Sequence, residues 1–258
     1  MLSRISVYQN HLKQSDMKHF FLLSTLFCAA LFSVPAMAQN KSIVKGDGNV
    51  VTQDRSTGSF NEIHTHGSFN VTITDAATNS VKVEAEQNIQ DYIIVETEGS
   101  ELHIRHKKGS NFRPTKDVTI HVSAPALKSI ALSGSGNIKS TNTLNGSDKL
   151  NIRSSGSGNI SLDVETADLN ASISGSGNIT LEGKTSDFEG SIAGSGNIRA
   201  KDMQSANTRI KIAGSGSAEV VASEKLNTNI VGSGDVKYWG NASVESHVAG
   251  SGRVRREN

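Results

Sequence analysis

Cysteine is almost absent from this sequence: among 258 residues only Cys28 carries a thiol. It lies inside an apolar leader, behind Leu26 and Phe27, where a lipoprotein signal would place small residues. The chain beyond the leader therefore offers no disulfide framework, no thiol nucleophile and no cysteine metal site. Aromatic residues make up 5%, too few to line a carbohydrate groove or to stack nucleic-acid bases. No block of one charge stands out. Beyond residue 38 there are 23 Lys and Arg against 24 Asp and Glu, a formal net charge of −1 over 220 residues. Neither nucleic acid nor an anionic membrane surface is an expected partner. No segment after the leader is apolar for long enough to span a bilayer.

The leader is a secretory signal in pattern. Lys18 and His19 precede an apolar run from Phe20 to Val34, and Ala36-Met37-Ala38 follows it. The run is short for a membrane span and the small residues suit cleavage after Ala38. Residues 1–38 are read as a signal peptide, with Met17 as an alternative start. The protein is expected to be exported, to the periplasm, the cell surface or beyond.

What the chain has in abundance is one pentapeptide. Gly134-Ser135-Gly136-Asn137-Ile138 returns unchanged at Gly156, Gly175 and Gly194, and with small changes at Gly214, Gly232 and Gly250. The steps between first glycines are 22, 19, 19, 20, 18 and 18 residues. A period near 20 marks an array in which each unit buries its apolar face against its neighbours. Both flanks of the glycines alternate apolar and polar, the period of a half-buried strand. The apolar set falls two residues before the first glycine (Leu132, Ile173, Ile192, Ile212, Ile230, Val248) and four after it (Ile138, Ile160, Ile179, Ile198, Ala218, Val236, Val254). If each unit makes one coil, equivalent strands of successive coils lie parallel and side by side, about 4.8 Å apart. The reading is an all-β parallel β-helix, a solenoid.

The residues assigned a role are structural. Gly134, Gly136 and Asn137 make the first corner. Gly156, Gly158 and Asn159, then Gly175, Gly177 and Asn178, then Gly194, Gly196 and Asn197 make the next three. Gly214 and Gly216, Gly232 and Gly234, and Gly250 and Gly252 complete the set. A corner needs positive φ or freedom from side chains. The four asparagines should stack and bond along the stack. Ser154 interrupts the apolar column, and a bulge shifting the register is expected there. Residues 39–57 read as a flexible arm. Residues 58–128, with longer and less regular strands, read as a β region capping the solenoid against edge pairing. Residues 129–258 hold the regular repeats. Gly67-Ser68-Phe69-Asn70-Val71 looks like a worn copy of the corner.

The alternation Phe60–Ile63, then Phe69-Asn70-Val71, then serial Ile-x-Gly-Ser-Gly-Asn-Ile, then Val236-Lys237-Tyr238-Trp239-Gly240, resembles a known family. It is similar to the secreted bacterial domain described as putative auto-transporter adhesin, head GIN domain. The resemblance covers residues 58–254. It implies a right-handed parallel β-helix in an envelope or secreted protein, with adhesion as the inferred role.

Chemistry is thinly represented. His64 and His66 would place both rings on one face of a strand, half of a metal-ligand set. Because Ile63 and Thr65 alternate with them, the pair reads as a solvent face, and no metal ligand is assigned. Asp163, Glu165 and Asp168, with Glu182 and Lys184 one coil on, are the carboxylates a polysaccharide lyase or hydrolase would need. Such charges commonly form a solvated face. The Gly-Ser-Gly runs lack the following helix and the Gly-Lys-Ser/Thr ending of phosphate loops. No cofactor is assigned. The expected function is a non-enzymatic, adhesin-like binding protein of the cell envelope, meeting a cell-surface glycan or protein. The alternatives are a carbohydrate-active enzyme on the same scaffold, or a structural envelope protein without external ligand.

Overall fold

The computed structural model describes residues 43–258. The signal peptide expected over 1–38 lies outside the described residues. The strands, in chain order, begin with β1 (Val44–Lys45), β2 (Val50–Arg55), β3 (Glu62–Gly67), β4 (Asn70–Asp75), β5 (Ser80–Glu86), β6 (Ile93–Glu98) and β7 (Glu101–His106). They continue with β8 (Phe112–Arg113), β9 (Thr119–Ala124), β10 (Ser129–Gly134), β11 (Asn137–Ser140), β12 (Lys149–Gly156), β13 (Asn159–Gly175) and β14 (Asn178–Gly194). The last are β15 (Asn197–Gly214), β16 (Ser217–Val221), β17 (Lys225–Gly232), β18 (Asp235–Trp239), β19 (Ser243–Gly250) and β20 (Arg253–Arg256).

These strands wind into a β-solenoid of about seven turns. Each lap runs into a Gly-x-Gly corner, out along a second strand, and round a second bend to the next corner. β13 and β14 each cover a whole lap in 17 residues and pair in parallel from Asn159↔Asn178 to Gly175↔Gly194. Alternation does the sorting. On β13, Ile160, Leu162 and Val164 point inward from one side and Leu169, Ala171 and Ile173 from the other, all at most 2% exposed. Stacking brings equivalent inward positions into register lap after lap, so the interior is one continuous and mostly aliphatic core.

Uneven repeat lengths are absorbed away from the corners. The bulge expected at Ser154 is not there: Leu132↔Ser154 lies inside an unbroken register from Ser129↔Asn151 to Gly134↔Gly156. The extra residues of that 22-residue step sit instead at the second bend, in the stretch 141–148 between β11 and β12. A bulge does occur three laps later in the stack, in the 20-residue step from Gly194 to Gly214, where Thr180↔Arg199 is followed by Glu182↔Asp202.

The N-terminal region departs from the expected plain cap. β10 pairs in parallel with β3, aligning Gly134 with Gly67, and β11 pairs with β4, aligning Asn137 with Asn70. Residues 62–75 are therefore a lap of the solenoid, with Gly67 as its corner. On its other side β3 pairs in parallel with β7, and β4 with β9. The lap made first in the chain is thus enclosed between β7/β9 and β10/β11. Only antiparallel strands act as a cap: β6 on β7, β5 on β9, and β2 on β5. The stretch expected as a flexible arm supplies β2 and also β1, which pairs with β8. Glu86 ties these pieces together. Its carboxylate is 1% exposed and accepts from Gly48 N at 2.7 Å, Thr115 Oγ1 at 2.5 Å and Thr115 N at 2.8 Å. Burial alone would raise its pKa, but the bonds from Thr115, Gly48 and Lys116 outweigh it and hold the carboxyl below its usual value.

At the other end, β19 and β20 form the last lap among the described residues. Val248 and Val254 stand in the inner columns as expected, opposite Ile230 and Val236. They are not closed in: Val248 is 37% exposed and Val254 half-buried.

The column two residues before each corner holds a flaw that a substitution can repair. Thr65, Leu132 and Ser154 are consecutive members. Thr65 is fully buried and Ser154 is 3% exposed, yet neither hydroxyl has a hydrogen-bond partner. An unbonded buried hydroxyl costs about 1–3 kcal/mol. Thr65→Val keeps the shape and removes the polar atom, and should raise stability by about 1 kcal/mol. Urea unfolding would show a higher midpoint at unchanged slope; a lower midpoint would mean the hydroxyl is bonded after all.

Candidate binding surface

The corners build a ridge. The first glycine of each corner has φ between +124° and +134° in the seven repeats, and Gly67 has +130°. A side chain there is strained. The second glycines have ordinary φ but no room: a Cβ on Gly196 would stand 2.7 Å from Ile173 Cγ2. Backbone bonds lock one corner to the next, as when Gly175 O accepts from Ser195 N at 2.9 Å and Gly196 N at 3.1 Å. With both glycines sunk, the residue between them is thrust outward. From Ser68 through Ser135 to Ser251, that residue is serine and exposed in all eight corners. At about 4.8 Å per lap the serine file runs roughly 34 Å.

Beside the ridge the asparagines stack as expected, and the ladder is longer. Asn137 Nδ2 donates to Asn70 Oδ1 at 3.0 Å, Asn159 to Asn137 at 3.1 Å, Asn178 to Asn159 at 2.9 Å and Asn197 to Asn178 at 2.9 Å. Asn70 joins through the worn copy, whose Gly-x-Phe spelling hides it from a motif count. The ladder stops at Ser217, the next residue in register.

The carboxylates that an enzyme would need do not converge: Glu165 and Asp168 line different grooves, and Asp163 and Glu182 line neither. Glu165 pairs with Lys184 Nζ at 2.8 Å, and both line a groove of about 860 Å³ at the second bend. Three of the hydroxyls in that groove are spent on the fold: Thr166, Thr185 and Ser205 donate to the carbonyls of Ser147, Ala167 and Val221. Asp163 accepts from Thr143 Oγ1 at 2.7 Å and Glu182 lies exposed beside it on β14. Asp168 lines another groove, of about 380 Å³, with its register partner Asp187.

A second cluster was invisible to strand-by-strand reading. His64 and His66 do share one face of β3, but the parallel pairing with β7 sets Glu62 beside Glu101, His64 beside His103 and His66 beside Arg105. His64 Nε2 lies 3.7 Å from Glu101 Oε2 and 3.9 Å from Glu62 Oε2, and His103 Nε2 lies 3.2 Å from Glu101 Oε2. The His64 and His103 rings are 5.3 Å apart, and His66 stacks on His103 at 6.5 Å. Desolvation, then His103, His64 and Arg105, hold His66 below the usual histidine pKa.

The sequence pattern of the family putative auto-transporter adhesin, head GIN domain, matches residues 59–242. The chain belongs to this family. The match takes in the corners from Gly67 to Gly232. Solved structures agree with the fold of this head GIN protein. A putative adhesin from Bacteroides fragilis NCTC 9343 superposes with a TM-score of 0.79 at 24% identity, over 83% of this chain and 100% of its own. A putative lipid binding protein from Parabacteroides distasonis ATCC 8503 gives 0.69 at 27%, over 84% and 100%. A putative adhesin from Parabacteroides merdae ATCC 43184 gives 0.69 at 25%, over 83% and 99%. No curated protein matches the chain. Among the described residues of the head GIN protein, no helix is long and apolar enough to cross a membrane.

Proposed function

We propose that this head GIN protein is an exported, adhesin-like binding protein of the bacterial cell envelope that works without catalysis. Its contact surface is the serine ridge with the strand faces on either side, and its partner is a cell-surface glycan or protein. The supporting observation is the ridge itself: eight exposed hydroxyls at one spacing, on a backbone held rigid by interlap bonds and free of bulky side chains. A repeating partner can meet several such hydroxyls at once, and many weak contacts then add to a useful avidity. Membership of an adhesin-like family supports the same reading.

The test pairs a glycan array and whole-cell binding with turnover assays on every polysaccharide bound. Saturable binding without turnover is expected. Ser176→Arg with Ser195→Arg should weaken it at least tenfold without changing the melting temperature. Turnover abolished by Asp163→Ala or Glu165→Ala would replace this reading with the enzyme. Binding indifferent to the arginines would remove the ridge from it.

A further inference from the structure

We propose that Glu62, His64 and Glu101 form a site for a divalent cation of the zinc type.

The register of two strands makes the site. Parallel pairing puts residues of one face side by side, so the outward members of β3 and β7 form a square of two glutamates and two histidines. One nitrogen and two carboxylate oxygens from Glu62, His64 and Glu101 all lie within 4.8 Å of one another. That arrangement is uncomfortable without a cation. Like charges directly opposed on neighbouring strands repel. His64 Nε2 is shut off from solvent and has no hydrogen-bond partner, a state that costs free energy in a polar ring nitrogen. Its separations of 3.7 and 3.9 Å from the two carboxylates are too long for hydrogen bonds. They are close to what a shared ion demands: ligands bound tetrahedrally at about 2.1 Å stand about 3.4 Å apart. The two carboxylates, within 4.8 Å of each other, would draw together around the ion.

Within the cluster Glu101 also meets His103 Nε2 at 3.2 Å, while the other charges nearby are engaged among themselves. Glu96, opposite His103 on β6, is engaged by Arg105, whose Nε donates to Glu96 Oε1 at 2.9 Å. His121 and Glu84 are paired elsewhere, at 3.2 Å. A mixed imidazole and carboxylate set favours zinc and its transition-metal neighbours over calcium or magnesium, which take all-oxygen shells. The ion would bridge the lap of β3 to the lap of β7, pinning the joint between the antiparallel cap and the regular solenoid.

Zinc titration of the full chain, by calorimetry at pH 7 with competition against a chromophoric chelator, decides the matter. One equivalent should bind, and zinc should raise the melting temperature. His64→Gln and Glu101→Gln should each weaken binding at least tenfold, whereas His121→Gln should leave it unchanged. Cobalt substitution should give the absorption bands of a tetrahedral site in the wild type and not in His64→Gln. His64 and Glu101 are half-buried on the outward face of their strands, and the melting of the variants without zinc checks that they fold. No binding, binding that survives His64→Gln, equal loss in His121→Gln, or a preference for calcium would each overturn the assignment.

Discussion

Gly175→Val should unfold the middle of the solenoid at roughly 4–5 kcal/mol below the wild type, a loss reserved for severe lesions. Two causes add. The residue sits at φ +126°, where a β-branched side chain costs about 1–3 kcal/mol. Its Cβ would also stand 2.5 Å from Gly156 O. That carbonyl cannot withdraw, because it accepts from Ser176 N at 2.9 Å and Gly177 N at 3.0 Å. Ser176→Ala, one residue away on the exposed crest, should change stability by no more than about 0.5 kcal/mol. Gly67→Ala gives an inner control. The nearest atoms to its Cβ would be side-chain atoms of His106 and Phe69, at 3.2 and 3.3 Å, rather than a carbonyl of the next lap. It should carry the φ penalty and only a small contact cost. Urea midpoints of the three variants would settle the ranking, and equal losses at Gly67 and Gly175 would refute the interlap clash.

Phe188→Ala should cost about 3–5 kcal/mol, the usual loss for a buried phenylalanine. Phe188 is 2% exposed and stands in register between Leu169 and Thr208. Its ring reaches over Gly190, where a Cβ would lie 3.5 Å from Phe188 Cζ and 2.8 Å from Ile210 Cδ1. In that inner column Ala171, Gly190 and Ile210 follow one another, so the glycine yields volume that the phenylalanine and the isoleucine share. Phe188→Leu with Gly190→Ala should therefore lose less than the two single changes summed, by about 1 kcal/mol. A double-mutant cycle in urea measures this; strict additivity would show that the two sites do not share space.

Much of this architecture was legible in the primary structure because each lap restates it. Ile160, Ile179 and Ile198 repeat at one offset from the glycines, and a repeated offset translates directly into a column. The asparagine ladder followed by the same logic. Where repetition lapses, the reading lost its grip. Nothing in Glu62–Gly67 or Glu101–His106 tells which strand lies between which, since register is set by pairing across long separations. The cluster at His64 is only half visible in the sequence for that reason: Glu101 and His103 stand on a strand 37 or more residues away. Ser154 misled because a serine in an apolar file looks like a shift of register, while the fold tolerates it as a buried unbonded hydroxyl. The arm before β3 reads as mobile in the sequence because its strands find partners only in the cap, at Val51↔Ala85 and Val44↔Phe112.

The enclosure of β3 and β4 between later segments bears on how the molecule comes into being. A solenoid whose laps followed chain order could start anywhere and spread both ways. Here residues 62–75 have no lasting neighbour until 101–124 and then 129–140 have been delivered to their two sides. This part can close only as a doubled-back unit of about eighty residues, whereas the laps from β12 onward each rest on the lap just before them in the chain.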